Sequence, residues 1–167
     1  MLRWNAKSFL YLLVIPLILS GIAVAQDFYL CTRVVDGDTI VVEIEGKLEK
    51  IRLIGVDTPE TVHPSKPVQY FGKEASNFTK KMVEGKKVRL EYDWQKRDKY
   101  GRLLAYVYLE DGTFLNAEII KQGYGFAYTK YPFKYLEEFR QYEREARSNS
   151  KGLWKENQSV NNTNGNN

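Results

Sequence analysis

Three strand-like runs follow one another between residues 30 and 54, and they constrain the fold more than anything else in the chain. Residues 30–35 form the first run. Thr39-Ile40-Val41-Val42-Glu43-Ile44 is rich in β-branched side chains and leads into a turn at Gly46. Residues 48–54 return, with Ile51 and Leu53 alternating against Lys50 and Arg52. Period-two alternation broken by turn residues predicts a three-stranded meander, with the corner Asp36-Gly37-Asp38 joining its first two strands. The third strand runs into Val56-Asp57-Thr58-Pro59-Glu60, so this pattern gathers acids and an arginine at the ends of neighbouring strands.

The remainder completes a small barrel. Phe71, Ala75, Phe78 and Met82 share one stripe of a helix over residues 71–83, which Gly85 ends. Val88, Leu90 and Tyr92 alternate with charged residues, predicting a fourth strand. A charged loop over residues 95–102 precedes a fifth strand over residues 103–109. After the Asp111-Gly112 turn, Asn116 is placed to cap a short helix through Gln122, closed by Gly123. Tyr135, Phe139, Tyr142 and Ala146 mark a last amphipathic helix, stopped by Gly152, with Trp154 folding back as an apolar plug. Five short strands with about three helices, mainly β with α, predict a Greek-key barrel of the OB type.

Residues 1–25 read as an export signal. Arg3 and Lys7 make a basic start, an apolar run broken only by Pro16 follows, and Ala23-Val24-Ala25 fits a small-x-small cleavage pattern. An uncleaved membrane anchor is the alternative, because the apolar stretch is near the short limit for spanning. Either reading puts the domain, residues 26–154, outside the cytoplasm: secreted, or anchored at the outer face of the cytoplasmic membrane. Residues 155–167 are Asn-rich and aperiodic and read as a disordered polar tail. The formal net charge is +4, but Arg3 and Lys7 supply two of those charges, so the mature domain is only mildly basic. Charge alone is therefore no argument for a nucleic-acid partner. The single cysteine, Cys31, excludes an internal disulfide and reads as a small core residue. The single histidine, His63, excludes chemistry that needs a histidine pair. A cluster of His63 with Lys66, Lys99 and Lys130 is more often a wet surface than a substrate groove.

Chemistry must then run on carboxylates and arginines, with a hard metal as an option. Acidic oxygens collect a hard cation, and a guanidinium beside them grips a phosphate. Each piece has a blander reading by itself. Asp36-Gly37-Asp38 is an ordinary tight turn, Asp57-Thr58-Pro59-Glu60 a helix start, Arg52 a solvated strand residue and Gly101-Arg102 a loop. It is their joint occurrence, in order, that counts.

Val35-Asp36-Gly37-Asp38-Thr39, Arg52-Leu53 with Val56-Asp57-Thr58-Pro59-Glu60-Thr61, and Asp98-Lys99-Tyr100-Gly101-Arg102-Leu103-Leu104-Ala105-Tyr106 together resemble the staphylococcal-type thermonucleases. The resemblance runs from about Leu30 to Trp154. It implies an OB barrel and a calcium-dependent endonuclease that hydrolyses DNA and RNA and leaves 3′-phosphate ends. By position, Asp38 and Asp57 correspond to the calcium carboxylates, and Thr58 lends the ion its backbone carbonyl. Glu60 matches the general base, and Arg52 and Arg102 the two phosphate-gripping arginines. Lys99 and Tyr100 match residues holding a terminal phosphate, and Tyr128 a tyrosine flanking the bound base. The family places a second tyrosine and then a lysine just beyond, whereas Thr129-Lys130-Tyr131 reverses that order. Tyr131 is retained as a substrate-binding candidate. Asp36 is expected to orient the corner without touching the metal.

Two other classes compete with the nuclease. A non-catalytic extracellular OB module that binds nucleic acid would have no need of the acids and arginines together. A calcium-stabilised surface domain would leave Arg52, Arg102 and the Lys99-Tyr100 pair without a purpose. With no exposed apolar stripe demanding a partner, a monomer is expected.

Overall fold

The computed structural model describes residues 27–61 and 69–155. The predicted export segment, His63, Lys66 and the tail beyond Lys155 lie outside the described residues.

Five strands close a barrel in the order β1-β2-β3-β6-β5, with β5 returning to β1. They are β1 (Tyr29–Asp36), β2 (Thr39–Ile44), β3 (Lys47–Leu53), β5 (Lys87–Glu91) and β6 (Leu103–Leu109). β3 and β6 run parallel and every other neighbouring pair is antiparallel. This is the expected five-stranded OB-type Greek-key barrel. A small second ladder pairs β4 (Val56–Asp57) with β7 (Phe126–Ala127). Three helices pack around the barrel: α1 (Gly72–Val83), α2 (Leu115–Lys121) and α3 (Leu136–Ser148).

The core follows the inward face of the strands, and Val41 and Tyr106 on the other face are buried as well. Ile40 and Val42 of β2, Ile51 and Leu53 of β3, and Ala105 and Val107 of β6 are fully enclosed. Cys31 is a buried free thiol, as its setting predicts. Strict alternation fails in β1, where Cys31 and Val34 both point inward. Register shifts on either side of Thr32 and Val35 explain this, because each bulge adds a residue and resets the inward face. Asp36 is buried at the strand's end.

Two of the helices depart from expectation in one detail each. On α1 the buried positions are Ala75, Ser76, Thr79 and Val83, while Phe78 and Met82 are half-buried beside them. Phe71 precedes the helix, with φ at 64°, and stacks on Tyr124. On α2 the residue preceding the helix is Phe114, so Asn116 is not the cap that its composition suggests. Asn116 is instead buried, and its amide closes three backbone gaps. Oδ1 accepts from Val107 N (2.9 Å), and Nδ2 donates to Ile54 O (3.0 Å) and Ala105 O (3.2 Å). It thereby ties α2 to β6 and to the turn after β3. Phe139 and Ala146 are the buried residues of α3, and Trp154 packs edge-on against Phe126.

The Ile54-Gly55 turn is set by close packing. Gly55 has φ at 73°, and a Cβ there would lie 2.6 Å from the Phe133 ring. Only glycine fits, and the turn it allows starts the strand that carries Asp57.

Replacing Asn116 with Ala removes the partner of Val107 N and of Ile54 O, and one of the two donors to Ala105 O. The expected loss is roughly 2–4 kcal/mol of unfolding free energy, measured by urea denaturation. A loss under about 0.5 kcal/mol would show that the amide is not a structural tie.

Candidate active site

β1 and β2 meet at a corner whose residues turn inward. Asp38 is buried there and is held on all sides. Its Oδ1 accepts from Thr39 Oγ1 (2.9 Å), and its Oδ2 accepts from Thr58 N (3.0 Å) and Thr58 Oγ1 (3.2 Å). The corner itself is fixed by helix α1, where Thr79 Oγ1 donates to Gly37 O at 2.6 Å. A side chain at Gly37 would collide with Thr58, whose Oγ1 would lie 2.7 Å from its Cβ. The two motifs of the sequence are therefore in contact.

The register Thr39↔Arg52 sets Arg52 alongside this corner. Its Nη2 lies 3.2 Å from Asp38 Oδ2 and 3.3 Å from Asp57 Oδ1, so one guanidinium bridges both carboxylates. Its Nη1 donates to Val56 O (2.6 Å) and Leu53 O (3.2 Å). Three of the strand ends thus converge on one arginine.

Negative charge exceeds what Arg52 offsets. Burial, then the neighbouring Asp38 and Asp36, push the Asp57 carboxyl above the usual range, and Arg52 pulls it only partly back. Burial also raises Asp36, helped by a hydrogen bond with the Glu60 carboxyl. Asp36 Oδ1 accepts from Thr61 Oγ1 (2.7 Å) and Gly37 N (2.8 Å). The expected corner-orienting role of Asp36 thus takes a definite form: it docks the Glu60-Thr61 segment against the corner. Gln69 holds that segment from the other side, with Glu60 N donating to Gln69 Oε1 (2.9 Å) and Gln69 N to Glu60 O (3.0 Å).

The loop between β5 and β6 brings the remaining candidates. Asp98 organises it: Oδ1 accepts from Tyr100 N and Arg102 N, both at 2.9 Å, and Oδ2 from Arg102 Nε at 2.7 Å. Burial alone would raise the Asp98 carboxyl, but these bonds and the Arg102 charge outweigh it and hold it low. Gly101, with φ at 82°, allows the tight return. The loop faces the Tyr128–Tyr131 segment across a cleft of about 530 Å³. Arg52, Asp57 and Arg102 line it together with Lys99, Tyr100, Tyr128 and Tyr131. Asp38, Thr58 and Glu60 are not among its lining residues. They form the corner that adjoins it through Arg52 and Asp57. Lys130 and Tyr131 both line the cleft, so the reversed order in the sequence still delivers both side-chain types.

Among the described residues, no three acidic, histidine or cysteine side chains meet the spacing of a preformed metal cage. The donors at hand are two carboxylates, Asp38 and Asp57, and the neighbouring backbone of Thr58. This all-oxygen set, with like charges raising Asp57, suits a hard cation that completes its shell with carbonyl and water.

Residues 50–156 match the family described as Staphylococcal nuclease homologue. The chain belongs to this family. It is 48% identical over 130 residues to a thermonuclease of Staphylococcus hyicus, covering 77% of this chain and 76% of the relative. It is also 48% identical over 136 residues to a thermonuclease of Staphylococcus intermedius, with 81% and 80% covered. Endonuclease YncB of Bacillus subtilis is 45% identical over 125 residues, 73% of this chain and 59% of that one. For this nuclease homologue, sequence reading missed Thr79, Gln69 and Trp94. Thr79 carries no signal beyond its place on the helix, and Gln69 depends on a long-range meeting. Trp94, next to Asp93 in a charged loop, is an exposed indole whose position was readable.

Asp57→Asn removes one charge from an overcharged corner. A carboxylate raised in the folded state destabilises that state above its folded pKa, and the penalty fades as pH falls through it. The variant is therefore expected to melt roughly 2–4 °C higher at pH 7 with chelator present, a modest gain because Asp57 is half exposed. The gap narrows on acidification. Thermal scans across pH check this, and a lower melting point for the variant at pH 7 would refute it.

Proposed function

We propose that this domain is a calcium-dependent endonuclease that hydrolyses DNA and RNA phosphodiesters and leaves 3′-phosphate ends. The observation that carries it is the convergence of Arg52, Arg102 and Asp57 on one cleft, with Asp38 bridged to Asp57 through the Arg52 guanidinium. The names of the relatives support the same reading, and the family is that of a nuclease.

Asp38, Asp57 and the Thr58 carbonyl would hold calcium. When bound, the ion would polarise a phosphoryl oxygen and help order water. The protein's own groups supply the rest. Arg52 and Arg102 neutralise the phosphate, and their forked donors match its equatorial oxygens as charge builds in the transition state. Glu60 takes the proton from the attacking water, and Asp36 and Gln69 hold its segment in place. Lys99 and Tyr100 receive a terminal phosphate from the loop that Asp98 shapes. Tyr128 and Tyr131 flank a base, where each ring contact is worth ~1–3 kcal/mol.

Residues 1–25 act as an export signal or anchor, and the enzyme works outside the cytoplasm as a monomer. Comparing the mass of the exported protein with that of the full chain separates cleavage from anchoring.

Arg102→Gly and Glu60→Ser are each expected to lower kcat by ~10²–10³ while the melting point stays within a few degrees. Initial rates on linear DNA check this, and a near-normal rate would remove that residue from the mechanism. Chelator is expected to abolish hydrolysis and calcium to restore it, with calcium affinity by calorimetry weakening as pH falls toward the raised Asp57 carboxyl. Undiminished activity in chelator would overturn the metal assignment. Binding of DNA without any cleavage would favour the non-catalytic module.

A further inference from the structure

Of the large apolar side chains that the described residues leave exposed, four line the cleft: Trp94, Tyr100, Tyr128 and Tyr131. Trp94 is the one that the proposed chemistry leaves unused. It is 69% exposed, although an indole of that size normally gains by burial. It is nevertheless held at both ends. Its Nε1 donates to Pro132 O at 3.1 Å, and its backbone N donates to Asp93 Oδ1 at 2.7 Å. Asp93 is itself fixed, since its Oδ2 accepts from Tyr106 Oη and from Lys134 N at 3.0 Å. The ring is thus oriented without being covered, on the cleft wall, against the backbone of Pro132, the residue after Tyr131.

We propose that Trp94 is a base-stacking platform for a second nucleotide, next to the one that Tyr128 flanks. This rests on the nuclease reading of the same cleft. A flat, rigid, exposed π-face suits the face of a nucleobase, and any base supplies one. Within a duplex those faces are covered by neighbouring pairs, so the occupant is an unpaired base of a single strand or an open end. Holding the indole through its N–H lowers the ordering cost of stacking, because little side-chain freedom remains to be lost. A simple clip for Pro132 would need the N–H alone and would gain from burying the ring. The exposed ring argues for a ligand.

The test uses the full chain with calcium, single-stranded dithymidylate and hexathymidylate, and the variants Trp94→Ala and Trp94→Phe. Trp94→Ala is expected to raise KM for the hexamer about 10-fold, with kcat unchanged and KM for the dimer within about twofold. Trp94→Phe keeps a ring without the N–H and is expected to stay within about threefold on both. Rapid mixing of the wild-type chain with hexamer is expected to quench tryptophan fluorescence within the first turnover, and Trp94→Phe to lose that quench. An equal KM increase on both lengths, a Trp94→Phe defect as large as that of Trp94→Ala, or a quench that survives in Trp94→Phe would overturn the platform. If the wild-type chain hydrolysed neither oligomer, the nuclease reading would fall, and the presence or loss of the quench would still decide the stacking.

Discussion

The structure depends most on the buried Asp38 carboxylate and the Arg52 guanidinium beside it. Asp38 draws donors from its own strand, from Thr58 and from β3, and so joins the corner, the β3 end and the β4 start at one point. Burying a charge is tolerable only when it is paired and hydrogen-bonded, and these contacts meet that requirement. Once the corner is held, the positions of Asp57 and Arg52 follow from strand register. The cleft is therefore an outcome of barrel closure, with its far wall supplied by the β5–β6 loop.

The site is also left electrostatically strained. Arg52 pairs with both Asp38 and Asp57, and burial first, then acidic neighbours, hold the carboxyls of Asp36 and Asp57 above their usual range. A purely structural corner would gain by losing Asp57, whose carboxylate meets only Arg52 among the described side chains. Perturbed carboxyls grouped in this way are the pattern that marks functional sites. Asp98 shows the opposite balance. Its carboxyl is held low by Arg102 and backbone donors, as suits a residue that shapes a loop.

Much of this was legible in the sequence. The five barrel strands follow from alternation, because one face of each is buried and period two leaves little freedom. The acid and arginine motifs could be read together because they stand at strand ends. What escaped had physical reasons. The bulges of β1 depend on cross-strand register, which one strand cannot encode, so Val34 lies on a face that strict alternation would not give it. Asn116 carries a capping composition but is drawn inside, because three backbone groups of β6 and the Ile54 turn need partners more than the helix end does. The reversed Lys130-Tyr131 order looked like a departure, yet a loop facing an open cleft tolerates exchange of neighbours. The docking of Glu60 through Asp36 and Gln69 arises from segments far apart in the chain and leaves no local trace.

The two ends of the barrel have different duties. Tyr29, where β1 begins, pairs with Val88 at the start of β5, while the cleft opens where β3 finishes and β6 begins. The described residues therefore begin at the end of the barrel opposite the cleft. A bead or fused protein attached directly at Asp27 would start from that far end, away from the mouth of the cleft. Immobilisation at Asp27 would then leave the cleft open to the surrounding solution.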